Sequence, residues 1–194
     1  MPLAAPPAAP SDAALLTRFA AGDRTALDDL FRRYRSVAYR VAYRLLGREA
    51  DALDAVQDGF VNALKHLDRF GGRSSFKTWL LRVVCNAALD IGRQRKRAER
   101  VSQAPRDAAP DRFGPDDRAP ADAGLVRADL RRMIDEALAR LPEPQRETFV
   151  LHVEGDLTYR EVADALGISI GTVMSRLFYA RQKLKDLLAH CHQP

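Results

Sequence analysis

Residues 74–100, SSFKTWLLRVVCNAALDIGRQRKRAER, hold the pattern from which the rest of the chain is read. At about 3.6 residues per turn, Phe76, Leu80, Val83, Val84, Ala87 and Ile91 fall on one side. On another side, within an arc of roughly 80° by the same geometry, fall Trp79, Arg82, Asn86, Arg93, Arg97 and Arg100. The spacing predicts one long helix with a buried seam and a separate aromatic and basic stripe. Such a stripe suits nucleic acid: arginine neutralises phosphate, asparagine pairs with a base edge, and an exposed Trp offers a plane for an unstacked base. The competing reading is a core Trp beside a solvated basic helix end, and the segments on either side decide between them.

Working outward, strand-like alternation is nearly absent and helical periodicity recurs along most of the chain, which predicts an all-α protein. The first ten residues, with four prolines, read as a disordered tail. A helix follows, with Ser11 or Asp12 as its N-cap and a break at Gly22. The next runs from about Asp23 to Leu46 and stops at Gly47, and a third from about Glu49 to Leu67. In that third helix Leu53, Val56, Phe60, Leu64 and Leu67 form the expected core stripe, while Asp51, Asp54 and Asp58 cluster on another face. The segment DRFGGRSS, with Gly71 and Gly72, is a loop leading to the long helix, which opens at Ser74 or Ser75.

Beyond the long helix the composition shifts. Residues 101–124 are rich in Ala, Pro and Asp, and prolines at 105, 110, 115 and 120 interrupt any helix, so the segment reads as a flexible linker. Helical patterning returns at about Leu125. The expected organisation is a tail at 1–10, a helical domain at 11–100, a linker at 101–124 and a second helical domain at 125–190.

The second domain contains TYREVADALGISIGTVMSRLFYARQKL, the layout of a helix-turn-helix. Thr158 with Glu161 makes a capping box. Ala163 is small where two helices approach, and Gly167 takes the turn, where a positive φ is costly for other residues. Ser169 caps the next helix, and Val173 and Leu177 point back to the core. In this motif the second helix enters the major groove by its N-terminal part, which brings Thr172, Ser175, Arg176 and Tyr179 forward. Arg181, Lys183 and Lys185 are phosphate contacts or a solvated face.

The bulk properties agree with an anionic partner. The 194 residues are 46% apolar, and the formal net charge is +5. The excess is local: residues 93–100 hold five basic groups against Glu99 alone. Two cysteines, Cys85 and Cys191, do not make a disulfide framework, no apolar run reaches the length of a membrane span, and the start lacks the parts of a signal peptide. These features predict a cytoplasmic protein without membrane insertion. No phosphate-binding glycine loop and no paired Cys or His motif is present, so neither an enzyme nor a cofactor or metal is expected. His190, Cys191 and His192 are read as an inert chain end, and His66 and His152 as isolated structural or exposed residues.

Taken in order, the blocks DALDAVQDGFVNALKHLDRF, GGRSSFKTWLLRVVCNAALDIGRQRKR and LPEPQRETFVLHVEGDLTYREVADALGISIGTVMSRLFYARQKL resemble regions two and four of the extracytoplasmic-function sigma factors, compact bacterial transcription-initiation factors. The resemblance runs from about Asp12 to Leu188. It implies that Asp51, Asp54, Gln57 and Asp58 dock on the clamp coiled coil of the polymerase largest subunit, beta-prime. It implies that the loop from Asp68 to Ser75, with Arg69, Phe70, Arg73, Ser74 and Ser75, captures a flipped base of the minus-ten element. Lys77, Trp79, Arg82, Asn86, Arg93 and Arg97 would then lie along the melting DNA. The second domain would bind the minus-thirty-five element through Ser169, Thr172, Met174, Ser175, Arg176, Phe178, Tyr179 and Arg181, and the flap of the beta subunit. An anti-sigma factor is a further implied partner. The family often has basic residues where Met174 and Tyr179 stand, so its upstream sequence preference does not transfer. The rival class is a stand-alone helix-turn-helix regulator, which would leave residues 49–100 without a use.

Overall fold

The computed structural model describes residues 9–102 and 121–189. Most of the expected tail, the greater part of the linker, and His190, Cys191 and His192 lie outside the described residues. Among those described there are eight α-helices, a 3-10 turn at Leu67–Arg69, and no strand. The all-α expectation therefore holds. The described residues form two compact units, divided between Ser36 and Val37.

In the first unit, α1 (Asp12–Ala20) begins where the Ser11 hydroxyl accepts from the amide of Ala14 at 3.2 Å. Gly22, at φ 97°, makes the expected break. Asp23 then accepts from the amide of Thr25 at 3.0 Å and from its hydroxyl at 2.6 Å, starting α2 (Thr25–Leu46). Bonds from the Thr25 side chain and from Arg18 hold the Asp23 carboxyl down to about 2. Leu15, Ala26, Leu27 and Leu30 are buried, and both Arg33 and Tyr34 bond to Asp12.

The second unit takes the rest of α2, then α3 (Glu49–Lys65), α4 (Phe76–Ser102), α5 (Ala121–Ala139), α6 (Glu143–Val153), α7 (Tyr159–Leu166) and α8 (Ile170–Ala189). Helix α5 begins four residues before the return of helical patterning was expected. The opening of α4 is capped by Ser75, whose hydroxyl accepts from the amide of Thr78 at 3.1 Å. Phe76, Leu80, Val84 and Ala87 are buried as the seam requires, while Val83 and Ile91 are only half-buried. Thr78, Leu81, Cys85 and Ala88 form a further buried side of α4, and α7 packs against this helix.

Of the core stripe expected on α3, Val56 is buried and Phe60 and Leu67 are half-buried, but Leu53 and Leu64 are corrected by the structure. Leu53 is 47% exposed and Leu64 48%, and the buried residues are Ala52, Ala55, Val56, Gly59 and Ala63. The reason is the approach of α4: a Cβ on Gly59 would lie 2.9 Å from Val84 Cα, so only a face of small residues fits there. The larger leucines turn outward.

The helix-turn-helix forms as its local signals require. Thr158 and Glu161 make the reciprocal capping box, and Gly167 closes α7 at φ 64°. Val162, Ala163, Val173, Leu177 and Ala180 are buried, and Ala180 and Leu184 join Ala137, Leu138 and Leu141 in a core shared with α5.

Candidate nucleic-acid interface

The stripe on α4 is solvent-facing along most of its length. Arg82, Asn86, Arg93, Arg97 and Arg100 are exposed. Trp79 differs from the expected free plane: it is half-buried, with its ring 5.3 Å from that of Phe70 and 5.7 Å from that of Phe76. Phe70 also meets Phe76 edge-on at 5.8 Å. The loop ahead of α4 is thus tied to the helix by an aromatic cluster, and it presents Arg69 and Arg73 to solvent. Gly72 sits at φ 65°, which lets this loop turn without strain.

The same helix is held by groups from α6, α7 and the turn between them. Lys77 Nζ donates to the Asp156 carbonyl at 3.1 Å, and Thr78 Oγ1 donates to Glu161 Oε1 at 3.2 Å. Glu161 is thereby shared between the capping box and α4, and the backbone bond from Thr158 leads the effects that lower its pKa. Arg93 pairs with Asp90 at 2.7 Å and with Glu143 at 3.4 Å. Cys85 Sγ donates to Glu147 Oε1 at 3.7 Å, and burial pushes the thiol pKa well up. Burial also raises the pKa of Glu147, against the attraction of Arg176 and Arg93. Glu143 and Glu147, one turn apart on α6, therefore both meet α4, the first at Arg93 and the second at Cys85. The sequence reading missed both; their spacing of four was visible in LPEPQRETFV, but not what they face.

On α8, Thr172, Met174, Ser175, Phe178, Tyr179 and Arg181 are exposed, whereas Arg176 is half-buried. Ser169 is exposed and caps α8 by accepting from the amide of Thr172 at 3.0 Å. Arg181 lies 3.5 Å from the Tyr159 hydroxyl.

The acidic face of α3 is smaller than its sequence suggests. Asp51 pairs with Arg95 of α4, which also donates to the Leu46 carbonyl at 3.3 Å. Asp54, Gln57 and Asp58 remain exposed, beside the outward-turned Leu53 and Leu64. A second pairing reaches further along the chain: Arg44 of α2 binds Asp135 of α5 and donates to Glu154 at 2.9 Å.

A helical core carrying a basic stripe and a loop tied to it by aromatic side chains, followed by a helix-turn-helix, defines a promoter-recognition protein of the sigma class. Residues 30–98 match Sigma-70 region 2, and residues 131–184 match Sigma-70, region 4. The chain is 36% identical over 177 residues to the ECF RNA polymerase sigma factor SigE of Mycolicibacterium smegmatis, covering 88% of this chain and 65% of that relative's length. It is 35% identical over 181 residues to the ECF RNA polymerase sigma factor SigM of Mycobacterium tuberculosis, covering 93% of this chain and 86% of that one. Among solved structures it is similar to the sigma factor RpoE in complex with the anti-sigma factor NepR from Bartonella quintana. That match has a TM-score of 0.66 and 27% identity, covering 83% of this chain and 97% of that chain. The chain belongs to the ECF family of RNA polymerase sigma factors. Among the described residues no helix is long and apolar enough to cross a membrane.

Proposed function

We propose that the chain divides promoter recognition between a first part that ends with α4 and a second that begins with α5, with the stretch between Ser102 and Ala121 as the tether. In the first, the exposed Asp54, Gln57 and Asp58 dock on the polymerase clamp coiled coil, with Leu53 and Leu64 supplying apolar contact at the same face. Asp51, engaged by Arg95, supports that face from inside rather than meeting the polymerase. The loop with Arg69, Phe70, Arg73, Ser74 and Ser75 holds a base outside the stack. Lys77, Trp79, Arg82, Asn86, Arg93 and Arg97 follow the separated strand. In the second, Ser169, Thr172, Met174, Ser175, Arg176, Phe178, Tyr179 and Arg181 face the minus-thirty-five element, and the same segment meets the polymerase flap.

The observation that carries this reading is the solvent-facing stripe of Arg82, Asn86 and Arg97 beside an aromatic cluster that ties the loop to α4. Each base held outside the duplex favours the open complex over the closed one, so binding free energy drives melting and the chain performs no catalytic step of its own. The protein acts in the cytoplasm, where core polymerase and promoters are. An anti-sigma factor controls it by covering the DNA surfaces; the similarity to a sigma factor solved with such a partner supports this.

The test separates two surfaces by exposed residues whose loss leaves the core intact. Arg82→Gln with Asn86→Ala should keep polymerase binding and lose about tenfold in open-complex formation, the scale of one base contact. Asp54→Ala with Asp58→Ala should weaken polymerase binding itself. Equal loss of both activities in both variants would refute the division.

A further inference from the structure

On α8 the side chains opposite the buried Val173, Leu177, Ala180 and Leu184 include three large apolar ones: Met174 is 55% exposed, Phe178 61% and Tyr179 58%. The polar groups around them in the first two turns already have partners. Thr172 Oγ1 and Ser169 Oγ share a hydrogen bond at 2.9 Å, and Ser175 Oγ donates to the Gly171 carbonyl at 3.0 Å. Arg176 is half-buried. Of the side chains that the N-terminal part of such a helix brings to the base edges, Met174 is thus long, outward and without a polar bond to give up. It lines a groove of about 600 Å³ with Tyr159, Phe178, Arg181, Gln182, Lys185 and Asp186. Two cations against one carboxylate, beside the exposed Met174 and Phe178, fit a duplex, whose phosphates pair with the cations while its base edges meet the apolar side chains.

In the major groove one base offers an apolar group, the C5-methyl of thymine. We propose that Met174, with Phe178 beside it, reads thymine methyl groups in the upstream promoter element, so that this chain's upstream specificity rests on apolar contact more than on guanine recognition. The inference rests on the assignment of α8 to the minus-thirty-five element. Covering one methyl group stabilises a complex by about 0.8 kcal/mol, which is about fourfold in affinity.

The experiment uses holoenzyme, formed from core polymerase and the full chain, on a promoter defined by its own start site. Each thymine of the upstream element is replaced in turn by deoxyuridine, which keeps base pairing and removes only the methyl. One or two positions should weaken binding about fourfold, and that weakening should vanish in Met174→Ala, whereas Arg181→Gln should weaken thymine and deoxyuridine promoters alike. Tolerance of deoxyuridine throughout, an upstream element lacking thymine, or a deoxyuridine effect unchanged in Met174→Ala would each overturn the proposal. Binding indifferent to a scrambled upstream element would overturn the assignment of α8 itself.

Discussion

Replacing Arg44 by Met tests how the helices of the second unit are held to one another. Arg44 Nε donates to Glu154 at 2.9 Å and its Nη1 binds Asp135, with the three side chains only 20%, 21% and 15% exposed. Breaking a fully buried pair by removing one partner costs about 3–5 kcal/mol, because a charge is left without its counterpart. Here each group keeps some solvent, and Arg40 Nε remains 3.5 Å from Glu154, so the loss should be nearer ~2–3 kcal/mol. The pH dependence gives an internal check. Burial already raises the Asp135 pKa against the pull of Arg44, and removing the guanidinium raises it further. A carboxyl whose folded pKa lies above its unfolded value, about 3.9, binds more protons when folded across that interval, so the variant regains stability as pH falls into it. Urea unfolding at pH 7.5 and pH 5 measures both effects. The expected loss is largest at pH 7.5 and shrinks at pH 5. A loss under about 0.5 kcal/mol, the size of an ordinary surface change, or one equal at both pH values, would refute the reasoning.

Two further substitutions probe the core and the acids of α6. Gly59→Ala should lower stability by about 1–2 kcal/mol: the new Cβ meets Val84 at 2.7–2.9 Å, and overpacking outweighs the ~1 kcal/mol that Ala gains in a helix, so a urea midpoint at or above the native one would contradict the close approach. Glu147→Gln should raise the melting temperature relative to the native chain more at pH 8 than at pH 5. The native carboxyl, its pKa raised by burial above the usual 4.5 among Cys85, Arg176, Arg93 and Glu143, loses its proton as pH rises and takes stability with it. A difference that does not grow with pH would count against a buried, reluctant charge.

What could be read from the chain alone was set by local chemistry. The capping box of Thr158 and Glu161, the αL turn at Gly167 and the break at Gly22 depend on residues a few positions apart, and all three form as expected. The α3 stripe was misplaced because Leu53 and Leu64 share their helical period with Ala52, Ala55 and Ala63, and periodicity does not say which of two neighbouring stripes meets a partner. That choice belongs to Val84 on α4. The buried side of α4 with Leu81 and Cys85 was illegible for the same reason, since Glu147 and Gly155, which meet it, lie more than sixty positions away. Among the candidate site residues, the exposed arginines of α4 were visible as a charge pattern. The pairing of Asp51 with Arg95 was not, because a carboxylate on a helix looks the same whether it faces water or a guanidinium from another helix.

Run-off transcription tests the central claim most directly: purified core polymerase with and without this protein, on a pool of genomic fragments, with start sites read by sequencing. Discrete new starts that depend on the protein and share two upstream motifs are the predicted result. No new starts, together with tight binding to duplex DNA in the absence of polymerase, would contradict it and identify a stand-alone regulator instead.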